Sequence, residues 1–206
     1  MSAQHNTIQE AFWAGDFGNH YIDRNSGDVA VRSNVALFSR ILSRTGPLSS
    51  VLELGANIGL NLRAICSLSP ATRLGAVEIN AKAFAILQQL EGVEAVHGSL
   101  LAEADDGLWD LTFTKTVLIH IAPEQLPRAY DRLYNASRRF VLLVEYYNPT
   151  PTEVHYRGHS ERLFKRDFAG EMMQRFPDLS LVDYGFVYHG DAFPQDDVTW
   201  FLLRKP

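Results

Sequence analysis

The sequence predicts a single α/β domain built around a mostly parallel sheet with helices on both of its faces. Short apolar segments alternate with segments of helical periodicity through most of the chain, as in a sheet that is covered on both sides. The last two apolar segments follow each other without a helix between them, so we expect an antiparallel hairpin at the C-terminal end. With 206 residues, of which 46% are hydrophobic, the chain is long enough to bury roughly 70% of its unfolded surface in one core.

The elements are predicted in order along the chain. The first 30 residues contain aromatic residues and glycines without a sustained period, and we expect an irregular arm that packs over the rest. The domain then spans residues 1–206, with the arm at 1–30 and the core at 31–206. The predicted helices span residues 31–45, 58–68, 81–90, 123–136 and 167–176. The predicted strands span residues 50–54, 73–79, 93–97, 109–114, 139–145, 179–188 and 198–204.

The composition and charge limit the partners that we expect. The chain has 19 basic and 24 acidic residues and a net charge of −5, which disfavours nucleic acid because phosphate backbones select a basic surface. The first residues show no basic leader, and no segment approaches the roughly 20 apolar residues of a membrane helix. We therefore expect a cytoplasmic monomer or homodimer without a membrane or metal site. Cys66 falls on an apolar helix face and is predicted to be buried.

A glycine-containing turn gives the sharpest functional signal. The predicted strand at 50–54 runs into Gly55, and a helix follows Gly59. Glycine at these positions lets a ligand approach the backbone and lets the helix pack tightly against a strand. A dinucleotide-binding loop has the pattern G-x-G-x-x-G, but this sequence has Asn57 and Leu60 at the later glycine positions. A nicotinamide-dependent oxidoreductase is therefore a weaker alternative.

An acidic residue at the end of the next predicted strand extends this signal. Glu78 follows Gly55 by 23 residues, and a carboxylate at that place accepts hydrogen bonds from both hydroxyls of a ribose. The alternative is an ordinary strand–helix turn with a solvated Glu78.

Glu53, Gly55, Gly59 and Glu78 together resemble the pattern of the class I S-adenosylmethionine-dependent methyltransferases, over about residues 35–205. The resemblance implies a Rossmann-like, seven-stranded sheet with an antiparallel last strand, and S-adenosylmethionine as the cofactor. In that family a polar residue after the third strand meets the adenine, and here Ser99 or a backbone group takes that role. The assigned cofactor-binding residues are Trp13, Tyr21, Arg24, Glu53, Gly55, Ala56, Asn57, Gly59, Glu78, Ile79, Ser99, Leu100 and Lys115.

Longer blocks of sequence resemble the small methylases associated with pseudaminic acid biosynthesis. These blocks are residues 13–18, 21–25, 115–121, 145–151, 156–159 and 162–168. The resemblance implies methylation, at an oxygen or nitrogen, of a small anionic metabolite such as a nonulosonic acid or a related sugar precursor. The alternatives are an amino, amidino or guanidino nitrogen of another metabolite, and a non-catalytic cofactor-binding partner of a larger assembly.

Three residues are candidates for catalysis. A base is required only when the acceptor group holds a proton. His120 follows the fourth predicted strand, and an ordinary histidine pKa of about 6.5 suits a base at neutral pH; the alternative is a structural histidine. His159 is the second candidate, and Tyr146 follows the fifth predicted strand. Because side chains alternate along a strand, one of Tyr146 and Tyr147 is expected to face the acceptor.

A basic loop is predicted within residues 148–167. Its segment 155–167 carries four basic and two acidic side chains on a negatively charged chain, and arginine forks suit carboxylate or phosphate groups. We therefore expect this loop to close over an anionic acceptor. The alternative is a solvated face with Asp167 capping the next helix. The assigned substrate-binding residues are Tyr147, Tyr156, Arg157, Arg162 and Lys165.

The N-terminal arm is predicted to be a second lid. Trp13, Phe17 and Tyr21 would shield a sulfonium ion from water, and aromatic faces attract that cation. Arg24 would meet the carboxylate of the cofactor. The alternative is that the aromatic side chains cover an edge of the core.

Overall fold

The computed structural model describes residues 7–24 and 27–206, and the side chains of residues 23 and 24 lie outside the described part. The helices are α1 (Ile8–Ala14), α2 (Asp16–Arg24), α3 (Asp28–Leu42), α4 (Leu60–Leu68), α5 (Ala81–Leu87), α6 (Leu126–Ala136) and α7 (Phe168–Arg175). The strands are β1 (Ser50–Leu54), β2 (Arg73–Glu78), β3 (Val93–His97), β4 (Trp109–Lys115), β5 (Ser137–Glu145), β6 (Thr152–Glu153), β7 (Phe164–Lys165), β8 (Ser180–Val187) and β9 (Val198–Arg204). Short 3₁₀ turns span Leu118–His120 and Pro123–Gln125.

Seven of the strands form one sheet in the order β3-β2-β1-β4-β5-β9-β8. The pairs of β1 with β2 and β4, of β2 with β3, and of β4 with β5 are parallel. β9 is antiparallel to both β5 and β8. The predicted mostly parallel sheet with an antiparallel C-terminal hairpin is confirmed. Because the strand order reverses between β1 and β4, a crevice opens at the carboxyl ends of these strands.

The core has two layers, one on each face of the sheet. Consecutive strand residues point to opposite faces, so Val51 and Leu52 lie in different layers. One layer is packed by α3, α4 and α5 and contains Phe38; the other is packed by α6 and α7 and contains Leu133 and Met172. Burial on both faces explains why the central strands are continuous apolar runs in the sequence.

Each predicted helix and strand is present, and most bounds differ by only a few residues. The strands at 50–54, 93–97 and 198–204 coincide with β1, β3 and β9. The larger differences are at helix ends and starts: α3 spans Asp28–Leu42, α5 ends at Leu87, and α6 begins at Leu126, after a 3₁₀ turn.

The described part of the N-terminal arm, residues 7–24, is helical. The prediction of an irregular arm is therefore wrong. α1 begins at a capping box, in which Thr7 Oγ1 accepts from the Glu10 amide at 3.0 Å and Glu10 accepts from the Thr7 amide at 2.9 Å. Apolar periodicity does not reveal this helix because its buried residues are the polar Gln9 and Glu10.

Cys66 is exposed, so the prediction that it lies in the core is wrong. In α4, Leu62 and Ile65 are among the buried residues. The position after Ile65 is rotated by about 100° around the helix axis, which turns Cys66 toward solvent.

Candidate active site

A cavity of about 310 Å³ lies at the carboxyl ends of β1, β2 and β4, against α1 and α2. Open α/β sheets bind their ligands at this place. The predicted site residues that line it are Trp13, Tyr21, Gly55, Ala56, Asn57, Glu78, Ile79, Ser99, Leu100, Lys115 and His120. The predicted residues outside its lining are Glu53, Gly59, Tyr146, Tyr147, Tyr156, Arg157, His159, Arg162 and Lys165. Arg24 ends α2, and its side chain lies outside the described residues.

The glycine turn forms one wall of the cavity. The backbone φ is 86° at Gly55, 49° at Asn57 and 79° at Gly59. The Gly55 amide donates to the Val77 carbonyl at 2.8 Å, which joins the turn to β2. A Cβ atom at Gly59 would lie 2.4 Å from Leu90 Cδ1. Such a Cβ would also lie 2.9 Å from Leu87 Cδ1, so Gly59 lets α4 begin against the end of α5 and the residues after it, rather than against a strand as expected.

The Glu78 carboxylate lies at the end of β2. Its Oε2 accepts from the Asn57 amide and its Oε1 from the Asn80 amide, each at 2.7 Å. Burial raises the pKa of Glu78, and the backbone hydrogen bonds lower it. A carboxylate has about four acceptor positions, so these contacts leave capacity for a ribose hydroxyl.

Glu53 is fully buried within β1, behind the cavity wall. Its Oε1 accepts from Asn61 Nδ2 at 2.5 Å, and Asn61 lines the cavity. Loss of hydration raises the pKa of Glu53 to about 8, although the hydrogen bond from Asn61 and the charge of Lys115 lower it. Glu53 thus reaches the cavity through Asn61 and not by direct contact.

Three buried polar atoms of cavity-lining residues have no hydrogen-bond partner within the described part of the chain. They are Trp13 Nε1, Asn57 Oδ1 and Asn61 Oδ1. Buried polar atoms in folded proteins are nearly always paired, and an unpaired one costs about 1–3 kcal/mol. Each of the three atoms is buried behind the cavity surface, so they mark strain in its wall and not contacts that are open to a ligand.

The residues after β3 contact the N-terminal arm. Ser99 Oγ donates to Glu10 Oε1 and accepts from the Leu101 amide at 2.9 Å. The hydrogen of the Ser99 hydroxyl is engaged by Glu10, and one acceptor position is left for an amino group such as that of adenine. The backbone at residues 98–100, which also lines the cavity, is the other group that the sequence suggested for this contact.

His120 lies at the end of the 3₁₀ turn after β4 and lines the cavity. Its Nδ1 is 2.6 Å from the Arg162 carbonyl. A carbonyl oxygen only accepts, so Nδ1 carries the hydrogen and Nε2 carries the lone pair. Burial lowers the pKa of His120 to about 4, against the opposite effect of this hydrogen bond. The ring lies 4.5 Å from the Trp13 ring and 5.2 Å from the Tyr156 ring.

The other two catalytic candidates and Tyr147 lie away from the cavity lining. Tyr146 is half-buried, and Lys165 Nζ lies 5.2 Å from the centre of the Tyr146 ring. Burial raises the pKa of the Tyr146 hydroxyl. Tyr147 is exposed and packs 5.9 Å from the Phe201 ring. The exposed His159 lies beside the arm, with its ring 5.0 Å from that of Phe12.

The basic loop does not bring its arginines together around the cavity. Arg157 is exposed at the tip of a tight turn, with a φ of 49°. Arg162 lies over the Phe12 ring at 5.1 Å, and its Nη1 donates to the Glu161 carbonyl at 3.0 Å. The loop therefore packs against the arm instead of presenting a row of cations to an acceptor.

Lys115, at the end of β4, is the Lys or Arg residue among the described residues that line the cavity. Within the described part of the chain, its Nζ makes no hydrogen bond or ion pair. Loss of hydration lowers the pKa of Lys115, and the negative charges of Glu53, Asp196 and Glu145 raise it. Lys115 is thus placed to pair with an anionic group of a ligand.

Asn80 fastens the arm to the core. Its Nδ2 donates to the Trp13 carbonyl at 3.1 Å and to Asn19 Oδ1 at 3.0 Å. Its Oδ1 accepts from the Ala83 amide at 2.9 Å and caps α5. The arm is thereby held as one wall of the cavity.

Several lining residues are absent from the set predicted from sequence: Gln9, Glu10, Ser33, Asn34, Asn61, Asn80, Gln195 and Asp196. Asn80 has a usable signal, because it stands at a helix N-cap directly after the strand that carries Glu78. No local pattern reveals the contact of Gln195 Nε2 with Asn34 Oδ1 at 3.0 Å, which joins residues 161 positions apart.

Comparison with known proteins gives matches among solved structures. No protein-family model matches the sequence, and no curated protein sequence does. The Burkholderia thailandensis 1,6-didemethyltoxoflavin-N1-methyltransferase, with bound 1,6-didemethyltoxoflavin and S-adenosylhomocysteine, matches with a TM-score of 0.70 at 19% identity, over 100% of this chain and 93% of that one. N-methyltransferase NodS from Bradyrhizobium japonicum WM9, in complex with S-adenosylhomocysteine, gives 0.68 at 16% identity over 93% and 100%. The glycopeptide N-methyltransferase MtfA, complexed with S-adenosylmethionine, gives 0.65 at 16% identity over 87% and 95%.

The chain therefore shares the fold of these three methyltransferases. Across residues 7–24 and 27–206, no helix combines the length and apolar character that a membrane span requires. The same residues hold no cluster of three His, Cys, Asp or Glu side chains that would bind a metal ion.

Proposed function

We propose that this protein transfers the methyl group of S-adenosylmethionine to an oxygen or nitrogen atom of a small metabolite. The observation that carries the proposal is that the glycine turn, Glu78, Lys115 and His120 meet on one cavity. That cavity lies at the switch point of a methyltransferase fold, and the three solved structures named above are complexes with the cofactor or its demethylated product.

The residues of the cavity fit this cofactor. Glu78 accepts from the ribose, and Ile79 and Leu100 provide apolar wall for the adenine. When bound, S-adenosylmethionine supplies an electrophilic methyl group on its sulfonium.

His120 is the residue proposed to orient the acceptor group; its lowered pKa makes it a weaker base at pH 7 than the ordinary histidine expected from the sequence. Its ring stays neutral at pH 7, because burial lowers the pKa of His120 to about 4. The Arg162 carbonyl fixes the tautomer with the lone pair on Nε2. Nε2 is therefore a hydrogen-bond acceptor that orients a hydroxyl or ammonium, and most of the rate comes from this positioning for an in-line displacement.

For the acceptor, we propose a nonulosonic acid of the pseudaminic type or a related sugar precursor. The resemblance of the sequence blocks supports it, together with Lys115, which can pair with the carboxylate of such an acid. The sheet order also fits this arrangement. Glu78 is on β2, so the cofactor's nucleoside lies toward β3 and the acceptor lies toward Lys115 and His120 at the end of β4.

A nitrogen acceptor on another small metabolite is the second candidate. All three solved structures named above are N-methyltransferases by name. The carboxylates of Glu10 and Asp196 on the cavity lining also favour an amine.

The experiment for the proposed activity is calorimetric titration with S-adenosylhomocysteine. Wild type is expected to bind it, and Glu78→Gln to bind at least about ten-fold more weakly, because one charge-assisted acceptor is lost. Glu91→Gln, at an exposed position, is the matched control and keeps wild-type affinity. Absence of binding heat with wild type would refute the proposal.

The acceptor is tested by mass spectrometry of candidate metabolites incubated with the protein and S-adenosylmethionine. A gain of one methyl group on a nonulosonic acid, lost in Lys115→Met, supports the first candidate. Methylation of an amine with Lys115→Met unaffected supports the second.

A further inference from the structure

The carboxylate of Glu145 lies directly beneath the turn that ends in His120. Glu145 is the last residue of β5 and is buried. Its Oε1 accepts from the amides of Val117 and Leu118, both at 3.1 Å, and its Oε2 lies 3.4 Å from the Ile119 amide. Oε1 also accepts from the Thr114 hydroxyl at 3.1 Å. One side chain thus holds three consecutive amides at the start of the turn.

The same turn leads without interruption to His120. The His120 amide donates to the Val117 carbonyl at 2.9 Å, and the Ile121 amide donates to the Leu118 carbonyl at 3.0 Å. The ring is held from the other side, through Nδ1 and the Arg162 carbonyl at 2.6 Å. The position of the His120 ring is therefore set by Glu145 below the backbone and by the basic loop above it.

A neutral amide would not replace the carboxylate here. Leu118 and Ile119 are buried, so an amide that loses its acceptor there has no water to replace it. A glutamine at position 145 would retain one oxygen and place an NH₂ group against one of the backbone N–H groups. The turn would then shift to relieve the contact, and His120 would move with it.

We propose that Glu145 is a positioning residue: it holds the backbone of the turn and thereby fixes His120 in the cavity. The consequence for methyl transfer rests on the proposed function, whereas the coupling between Glu145 and His120 does not.

The surroundings of Glu145 give this coupling a pH dependence. Burial raises the pKa of Glu145 to about 7, against the lowering effect of its hydrogen bonds. Three other titratable groups interact electrostatically with the Glu145 carboxylate. They are Lys115 at the end of β4, Tyr130 on α6 and the adjacent Tyr146. Protonation below pH 7 weakens its hold on the amides, while the His120 ring stays neutral down to a pKa of about 4.

The test is nuclear magnetic resonance of the ¹⁵N-labelled full chain without any ligand. In wild type, the ring nitrogens of His120 are expected to show the Nδ1–H tautomer from pH 6 to 8. The amide signals of Leu118 and Ile119 are expected to titrate with a midpoint near that of Glu145. In Glu145→Gln the amide titration disappears and His120 shows a mixture of tautomers.

The control is Thr114→Val, which removes one donor but keeps the carboxylate, and it retains the wild-type His120 signals. A folded Glu145→Gln with unchanged His120 signals would overturn the proposal. If Glu145→Gln does not fold, Glu145→Asp takes its place, because its shorter side chain withdraws the carboxylate from the three amides. Unchanged His120 signals in a folded Glu145→Asp would likewise overturn the proposal.

The catalytic consequence is measured separately, once an acceptor is in hand. Glu145→Gln is expected to lower kcat by about ten-fold or more while its affinity for S-adenosylhomocysteine stays within about two-fold of wild type, since the cofactor contacts lie elsewhere on the cavity. In wild type, kcat falls below pH 7, and this acid limb is absent in the variant. If wild type fails to bind S-adenosylhomocysteine, the proposed function fails and the Glu145–His120 coupling is still decided by resonance.

Discussion

Replacing the buried Glu53 by glutamine is expected to flatten the pH dependence of stability. Loss of hydration raises the pKa of Glu53 from 4.5 to about 8 in the folded protein. The folded state therefore binds this proton more tightly than the unfolded state. The contribution of Glu53 to stability is most favourable below its unfolded pKa of about 4.5 and is lost as the pH rises toward 8.

The size of the effect follows from the shift. One pKa unit corresponds to about 1.4 kcal/mol, so between pH 5 and pH 8 the unfolding free energy of wild type should fall by about 3–4 kcal/mol relative to Glu53→Gln. The glutamine amide, near the unpartnered Oε2 position, destabilises the variant by the same amount at every pH. This changes the offset between the two curves of unfolding free energy against pH, but not their difference in slope.

The assay is urea denaturation from pH 5 to 8, followed by tryptophan fluorescence. Trp109 and Trp200 are buried and report global unfolding. Glu91→Gln, at an exposed carboxylate, is the control and should run parallel to wild type. If the curves of wild type and Glu53→Gln are also parallel within about 1 kcal/mol, Glu53 is not held in the environment described here and the reasoning is refuted.

Two further substitutions test the packing of the site. Asn80→Ser keeps an oxygen to cap α5 but removes the donors to the arm. Amide hydrogen exchange should therefore rise in α1 and α2 and stay unchanged in α5. Unchanged exchange in the arm would contradict the role of Asn80. Gly59→Ala combines a left-handed φ of 79° with a Cβ atom 2.4 Å from Leu90 Cδ1. It should reduce the unfolding free energy by about 2–4 kcal/mol in urea denaturation, and a loss below about 1 kcal/mol would show that Leu90 moves aside freely.

The fold could be predicted from the sequence because its signals are local. The alternation of apolar runs with helical periods marks β1 to β5 and their helices, and the turn at residues 190–194 marks the hairpin of β8 and β9. The arm could not be predicted in the same way. Its helices bury Gln9 and Glu10 against the cavity, and such burial leaves no apolar period.

The predicted residues that line the cavity come from the arm and from the ends of four strands, Lys115 and His120 included. Gly55, Asn57 and Glu78 line the cavity because they stand at consecutive strand ends of a parallel sheet, a position fixed by the pattern. The basic loop illustrates the limit. Its composition indicates an anion site, but Arg162 packs on Phe12 of the arm, and the Lys or Arg residue on the described cavity lining is Lys115.

By itself the sequence determined the order of strands and helices, the glycine turn and the carboxylate at the end of β2. Periodicity and turn chemistry act over a few residues, so they can be read in the chain. The tertiary structure alone decided that Glu145 holds the turn of His120, that Asn80 holds the arm, and that Gln195 meets Asn34. These contacts join residues that are distant along the chain, and only the packing of the folded core brings them within hydrogen-bonding distance.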